Sequence, residues 1–112
     1  MKEIKAYVHR TRVADVIAAL KATPSWNAAE PGRLHNLSLY VVKGSLVPLS
    51  DIERRYSVEL GDEIVEEYKL ELHCADDQVS EFVQVISAAA RTGQPNAGWV
   101  YVVDLVTAQP IH

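Results

Sequence analysis

Three observations in this sequence predict an α+β domain in which one antiparallel sheet carries two helices on a single face. Four segments alternate apolar and polar residues with the period of a strand, and two carry apolar stripes with the period of a helix. The six run in the order strand, helix, strand, strand, helix, strand. At 112 residues the chain fits a single domain over 1–112, long enough to bury roughly 65% of its unfolded surface. Its 48% hydrophobic and 23% charged content is that of an ordinary globular protein and argues against disorder.

The first strand is read from residues 3–9, where Ile4, Ala6 and Val8 alternate with Lys5, Tyr7 and His9. Thr11 is placed to cap a helix whose Val13, Val16, Ile17 and Leu20 fall at i, i+3, i+4 and i+7, and Thr23-Pro24 ends it. Residues 25–33 have neither period, contain Pro31, Gly32 and an exposed-looking Trp26, and read as a loop. The second strand lies within 34–43, with Leu37, Leu39 and Val41 alternating against Ser38, Tyr40 and Val42, and Gly44 stops it.

Residues 45–67 read as a long, partly mobile excursion. Pro48 is incompatible with a central strand, 51–55 is polar, and Glu59, Asp62, Glu63, Glu66 and Glu67 concentrate negative charge. Loops of this length are uncommon in compact domains and are usually functional. Residues 56–60 keep some strand character.

Tyr68, Leu70, Leu72 and Cys74 alternate with Lys69, Glu71 and His73 in the third strand. Asp76 and Asp77 suit the positive end of a helix whose apolar face is Val79, Phe82, Val83, Ile86 and Ala90. Arg91 suits its C-terminal end and Gly93 a left-handed cap. Residues 99–106 form the last, strongly apolar strand, and Pro110 follows it.

The resulting βαββαβ order, with a four-stranded antiparallel sheet and two helices on one face, is the ferredoxin-like arrangement. Tyr40, Val42, Tyr101 and Val103 are expected to point away from the helices and leave an apolar sheet face. We expect a homo-oligomer that packs sheet against sheet.

The charge of −4, with no basic tract, makes nucleic acid a poor partner, because non-specific affinity for it comes from clustered Lys and Arg. The first ten residues lack the apolar core of a signal peptide, and no apolar run approaches the ~20 residues that span a bilayer. No membrane insertion and a cytoplasmic location are expected. One cysteine, Cys74, cannot form an intramolecular disulfide and fits best as a small buried hydrophobe.

No hydrolytic or redox constellation is present: the chain lacks GxSxG, CxxC, a phosphate-binding GK[ST] loop and HExxH. It is read as no enzyme. Its histidines, His9, His35, His73 and His112, are dispersed, and for His9 and His73 a hydrogen-bonded surface imidazole is the commoner explanation. His73 beside Cys74 suggests a soft metal, but neighbours on a strand point to opposite faces. The carboxylates of 62–67 admit a general-acid-pair or a hard-cation reading, with solvated charge on a flexible loop the cheaper one. Arg54-Arg55-Tyr56 is either a solvated patch or a contact for a partner or anion. Between Gly93 and Gly98, Gln94, Pro95, Asn96 and Ala97 form a turn whose amides can cradle an anion or simply connect helix to strand.

Four stretches carry a family resemblance: MKEIKAYVHRTRVADVIAAL, LSLYVVKG, KLELHCADDQVSEFVQVISAAARTG and AARTGQPNAGWVYVVDL. Together they resemble the PII signalling superfamily over nearly the whole chain. The exception is the region between Gly44 and Glu67, where the family's T-loop lies. The resemblance implies a trimer with adenine-nucleotide clefts between subunits. In it Ser38 corresponds to a hydroxyl facing the adenine, Gly44 to the strand-end glycine, and Gly98 to a turn glycine.

The chain departs from the family where phosphate is held. Asn96 and Ala97 replace a glycine and an acidic residue, Trp99 replaces a lysine, Pro110 and His112 replace two arginines, and Glu67 replaces a basic residue. Each charge-assisted phosphate contact contributes about 1.5 to 3 kcal/mol, so tight triphosphate binding in the usual pose is not expected. What the resemblance implies instead is a divergent, non-catalytic PII-like regulator. It senses ADP, AMP or bicarbonate through Ser38, Gly44, Gln94, Asn96, Gly98 and Trp99, and engages a protein partner, a transporter or an enzyme, through 45–67. Some such proteins act in inorganic-carbon metabolism. The alternatives are a metal-responsive trimer resembling CutA, or an adaptor with a vestigial cleft.

Overall fold

The computed structural model describes residues 1–28 and 35–112. Among these residues the chain forms an α+β structure with five strands and three helices. The strands are β1 (Lys2–Val8), β2 (Ser38–Gly44), β3 (Arg55–Ser57), β4 (Asp62–Cys74) and β5 (Trp99–Asp104). The helices are α1 (Val13–Lys21), α2 (Pro24–Asn27) and α3 (Val79–Ala89). The main sheet runs β2-β4-β1-β5 with every pair antiparallel, and β3 pairs with the first residues of β4.

Register divides the side chains between two faces, because cross-strand partners share one. Ile4 opposes Leu72 and Val102, and Ala6 opposes Leu70 and Val100. This face meets Val16 and Leu20 of α1 and Phe82 and Ile86 of α3, forming the core together with Val8 and Cys74. The apolar stripes of both helices thus find the same face of the sheet, and Cys74 is the small buried hydrophobe its alternation suggested.

The other face carries Tyr7, Lys69 and Tyr40 in one row, with the Lys69 ammonium 5.1 Å from the Tyr7 ring centroid and 5.9 Å from that of Tyr40. Trp99 and Tyr101 stack beside them at 6.3 Å. By register Tyr40, Val42, Tyr101 and Val103 do share this face, as their alternation required. Val42 is half-buried and the other three are exposed.

Four expectations need correction. The third strand starts at Asp62, not at residue 68. Ile64 and Val65 are buried, and β4 keeps pairing at this end because Gly44 of β2 opposes Val65 and Arg55 of β3 opposes Ile64. The excursion is therefore shorter, a 3-10 turn at Asp51–Glu53 followed by the β3–β4 hairpin, whose turn closes with Gly61 N–H donating to Ser57 O at 2.8 Å.

Thr11 does not cap α1. Its hydroxyl lies 2.8 Å from His9 Nδ1, and Arg12 takes the cap position without a side-chain bond. Its guanidinium instead donates from Nε to Ala89 O at 3.0 Å, tying the start of α1 to the end of α3.

Residues 24–27 form α2 rather than loop, since the Thr23 hydroxyl accepts from Trp26 N–H at 3.2 Å and Pro24 has its φ preset for a first helical position. Trp26 is half-buried, 4.6 Å from the buried His35 ring and 6.1 Å from Phe82. Finally, β2 begins at Ser38. Residues 35–37 of the 34–43 segment are not strand, and residue 34 lies outside the described residues.

Candidate functional site

The sheet's register brings the ends of several elements together at one edge. Gly44 ends β2, Val8 ends β1, and Trp99 opens β5 opposite Tyr7. Two connections meet there, the turn after α3 and the excursion after β2.

The turn is shaped by its backbone. Gly93 has φ +88°, four residues beyond the last residue of α3 rather than immediately at its end, and Asn96 has φ +61°, a left-handed conformation that asparagine tolerates. Gln94 N–H donates to Thr92 Oγ1 at 3.2 Å, and Ala97 N–H to Gln94 O at 3.3 Å. A Cβ at Gly98 would stand 3.1 Å from the Tyr7 carbonyl oxygen, so the closeness of turn and β1 depends on that glycine.

Between this turn and α3 lies a groove of about 580 Å3. Gln94, Asn96, Gly98 and Trp99 line it, with Ser87 and Thr92 adding hydroxyls. Among its lining residues Arg91 alone is charged. The sequence reading gave Arg91 only a place at a helix end, and Tyr7 only a place on a strand. The signal for Arg91 was its position two residues before the glycine of a turn already under suspicion.

A second groove, of about 230 Å3, lies on the other side of the turn. Asn96, Ala97 and Trp99 face Ser45, Leu46 and Val47 across it, with Glu67 and Tyr7 also lining it. The end of β2 and the turn before β5 thus meet within one chain, although Gly44 itself lines neither groove. Ser38 stands at the far end of β2 opposite Glu71, about 20 Å along the strand from Gly44, and does not join them.

Beside this second groove is a cluster that spacing does not reveal. His9 Nε2 lies 2.7 Å from Glu53 Oε1, and the Glu53 carboxylate also accepts Leu49 N–H at 3.2 Å. Thr11 N–H donates to His9 Nδ1 at 3.2 Å, so the ring proton is on Nε2 and is donated to Glu53. Glu67 completes the group: one ligand atom from each of the three residues lies within 4.8 Å of the others.

His9 is 4% exposed and Glu67 3%, which corrects the reading of a surface imidazole and of a solvated carboxylate. The cause is the excursion, whose 3-10 turn folds Glu53 back over the open face of the sheet. Asp62, Glu63 and Glu66 are exposed, in keeping with solvated charge.

Electrostatics separates the two carboxylates. Burial pushes the Glu53 carboxyl up, but the bonds from His9 and Leu49 N–H and the nearby Arg10 outweigh it and leave the group below its ordinary value. Burial dominates at Glu67, helped by the Glu53 charge, and raises its carboxyl above the ordinary range against the pull of His9 and Arg10. Both Glu67 oxygens are buried without a hydrogen-bond partner.

The pairing of His73 with Cys74 is not formed. Cys74 opposes Lys2 on the core face and His73 opposes Glu3 on the other. Burial raises the Cys74 thiol above its ordinary value, which suits a structural cysteine. Among the described helices none is long and apolar enough to cross a membrane.

No protein-family model and no curated protein matches the chain. Fold and site define the class, an α+β protein with an open antiparallel sheet and polar grooves flanking the turn before its last strand.

Proposed function

We propose that this chain is a non-catalytic, PII-like regulator that binds a small anionic ligand at the turn spanning 91–99. The carrying observation is the 580 Å3 groove, in which Arg91 is the single charged residue among the amides of Gln94 and Asn96, the hydroxyl of Thr92 and the ring of Trp99. Charge-assisted hydrogen bonds contribute about 1.5 to 3 kcal/mol each, so one guanidinium suits ADP, AMP or bicarbonate better than a triphosphate.

The sheet order β2-β4-β1-β5 supports the ferredoxin-like assignment. The exposed Tyr40, Trp99, Tyr101 and Val103 on the uncovered face support a sheet-to-sheet homotrimer, which would place further residues around the groove. Ligand binding would then shift the population of excursion conformers, and that segment would present its surface to a protein partner, a transporter or an enzyme.

Calorimetric and thermal-shift titrations with ATP, ADP, AMP, cyclic AMP and bicarbonate test this reading. ADP, AMP or bicarbonate is expected to bind, and Arg91→Gln to weaken that binding about tenfold or more, the equivalent of one charge-assisted contact. Silence across the whole set overturns it. Light scattering on the eluted protein tests the trimer.

A further inference from the structure

We propose that His9, Glu53 and Glu67 form a site for one divalent first-row transition cation, zinc being the best match. The ligands are His9 Nε2 and one oxygen from each carboxylate. They come from three places that share no local sequence: the residue just after β1, the 3-10 turn in the excursion, and the middle of β4. Their donor atoms lie within 4.8 Å of one another. Tetrahedral zinc, with bonds of about 2.0 to 2.2 Å, places its donors about 3.3 Å apart, so only a modest closing movement is needed. Glu67 is the side chain free to make it, since neither of its oxygens is held by a hydrogen bond.

That free carboxylate is the second, independent indication of a ligand. A carboxylate 97% removed from solvent normally has its lone pairs satisfied, and this one faces a histidine and another carboxylate instead. A cation between the three would satisfy Glu67 and balance the negative charge that the two glutamates hold in one buried place.

The donor set narrows the choice of ion. One imidazole with two carboxylates suits zinc, manganese or iron(II). Magnesium and calcium prefer oxygen alone, and copper(I) prefers sulfur, which Cys74 cannot supply from the opposite face of the sheet. The Thr11 hydroxyl, 2.8 Å from His9 Nδ1, supplies the outer-sphere support that such sites use. It can accept Nδ1–H once a metal takes Nε2, in exchange for the Thr11 N–H bond that the metal-free ring accepts at Nδ1.

Two consequences follow from the placement. The cation would fasten the excursion to the sheet, because Glu53 belongs to one and His9 and Glu67 to the other. It would also lie beside the 230 Å3 groove that Glu67 lines with Ser45, Asn96 and Trp99. This inference does not rest on the anion-binding reading.

The test is calorimetric titration of chelator-stripped full-length protein with zinc chloride, alongside manganese chloride. We expect one zinc per chain, and an affinity at least tenfold lower in Glu67→Gln and in His9→Gln, with far-UV circular dichroism confirming that both variants fold. X-ray absorption on the zinc-loaded wild type supplies the check should a variant fail to fold, and a shell of nitrogen and oxygen with one imidazole is expected. Absence of stoichiometric zinc binding overturns the proposal. Unchanged affinity in folded variants, or sulfur in the metal shell, overturns it equally. Neither result alters the nucleotide and bicarbonate titrations.

Discussion

The two connections that converge at one edge of the sheet are held by different physics. The turn of 90–98 owes its path to backbone conformation: positive φ at Gly93 and Asn96, and the close approach of Gly98 to the Tyr7 carbonyl. The excursion of 45–61 is held by ionisable and polar side chains, with Glu53 on His9, Leu49 N–H on Glu53, and Ser45 Oγ donating to Asp62 at 2.8 Å. Backbone geometry is indifferent to pH and metals, whereas side-chain contacts of this kind respond to both. One connection is thus built as a fixed wall and the other as a conditional one.

Metal loading should separate them most strongly. Zinc at a hundred times its dissociation constant adds about 2.7 kcal/mol to unfolding stability. Hydrogen exchange should slow in 45–61 and not in 90–98, and thermal melts with and without chelator check the total. Equal slowing in both connections would break the contrast.

Glu53→Ala comes next. It leaves His9 Nε2–H and Leu49 N–H without their acceptor, at a cost of about 2 kcal/mol in urea denaturation at neutral pH. The sign of its pH dependence follows from the lowered Glu53 carboxyl. Its stabilising contribution is present above the unfolded value, about 4.3, and is lost as pH falls through the lower folded value. The gap between wild type and Glu53→Ala should therefore close in acid.

In metal-free protein Glu67 acts in the opposite sense. Its folded value is raised, so wild type loses stability as pH climbs from about 4.3 through that value, and Glu67→Gln does not. A Glu53→Ala gap that widened in acid would show that the excursion is held by something else.

Gly98→Ala tests the fixed connection. The added methyl meets a carbonyl of the sheet's second central strand, and a loss of about 1 kcal/mol is expected, with no dependence on pH or zinc. Arg91→Gln should have the smallest effect on stability, within about 0.5 kcal/mol, while still weakening anion binding. A large loss of stability would move Arg91 from the groove to the scaffold.

Much of the scaffold was legible in the chain. Alternation in 3–9 and 68–74, the apolar run at 99–106, of which 99–104 is strand, and the 3.6-residue stripes at Val16, Leu20, Phe82 and Ile86 reflect side chains sorting between water and core, which is local information. Gln94, Asn96, Gly98 and Trp99 line one groove because they fall within one short turn. Ser38 and Gly44 were not brought to that turn, since adjacency to it depends on how far β2 runs and where it ends. The inner half of β4 was hidden by its charges. Asp62, Glu63 and Glu66 read as solvated, and Ile64 and Val65 show their burial only once β2 and β3 flank them.

The sequence by itself determined the α+β class, the order of the four longer strands and two longer helices, the two faces of the sheet, the buried Cys74 and the position of the glycine-bearing turn, all set by residue type and spacing; α2 and β3 were not in it. Only the tertiary structure decided that His9, Glu53 and Glu67 meet. His9 and Glu53 are 44 positions apart, and their contact requires β1 to lie beside β4 and the 3-10 turn to fold back across both. Each of the three looks like ordinary surface charge along the chain, and burial, a property of the assembled sheet, is what makes them a site.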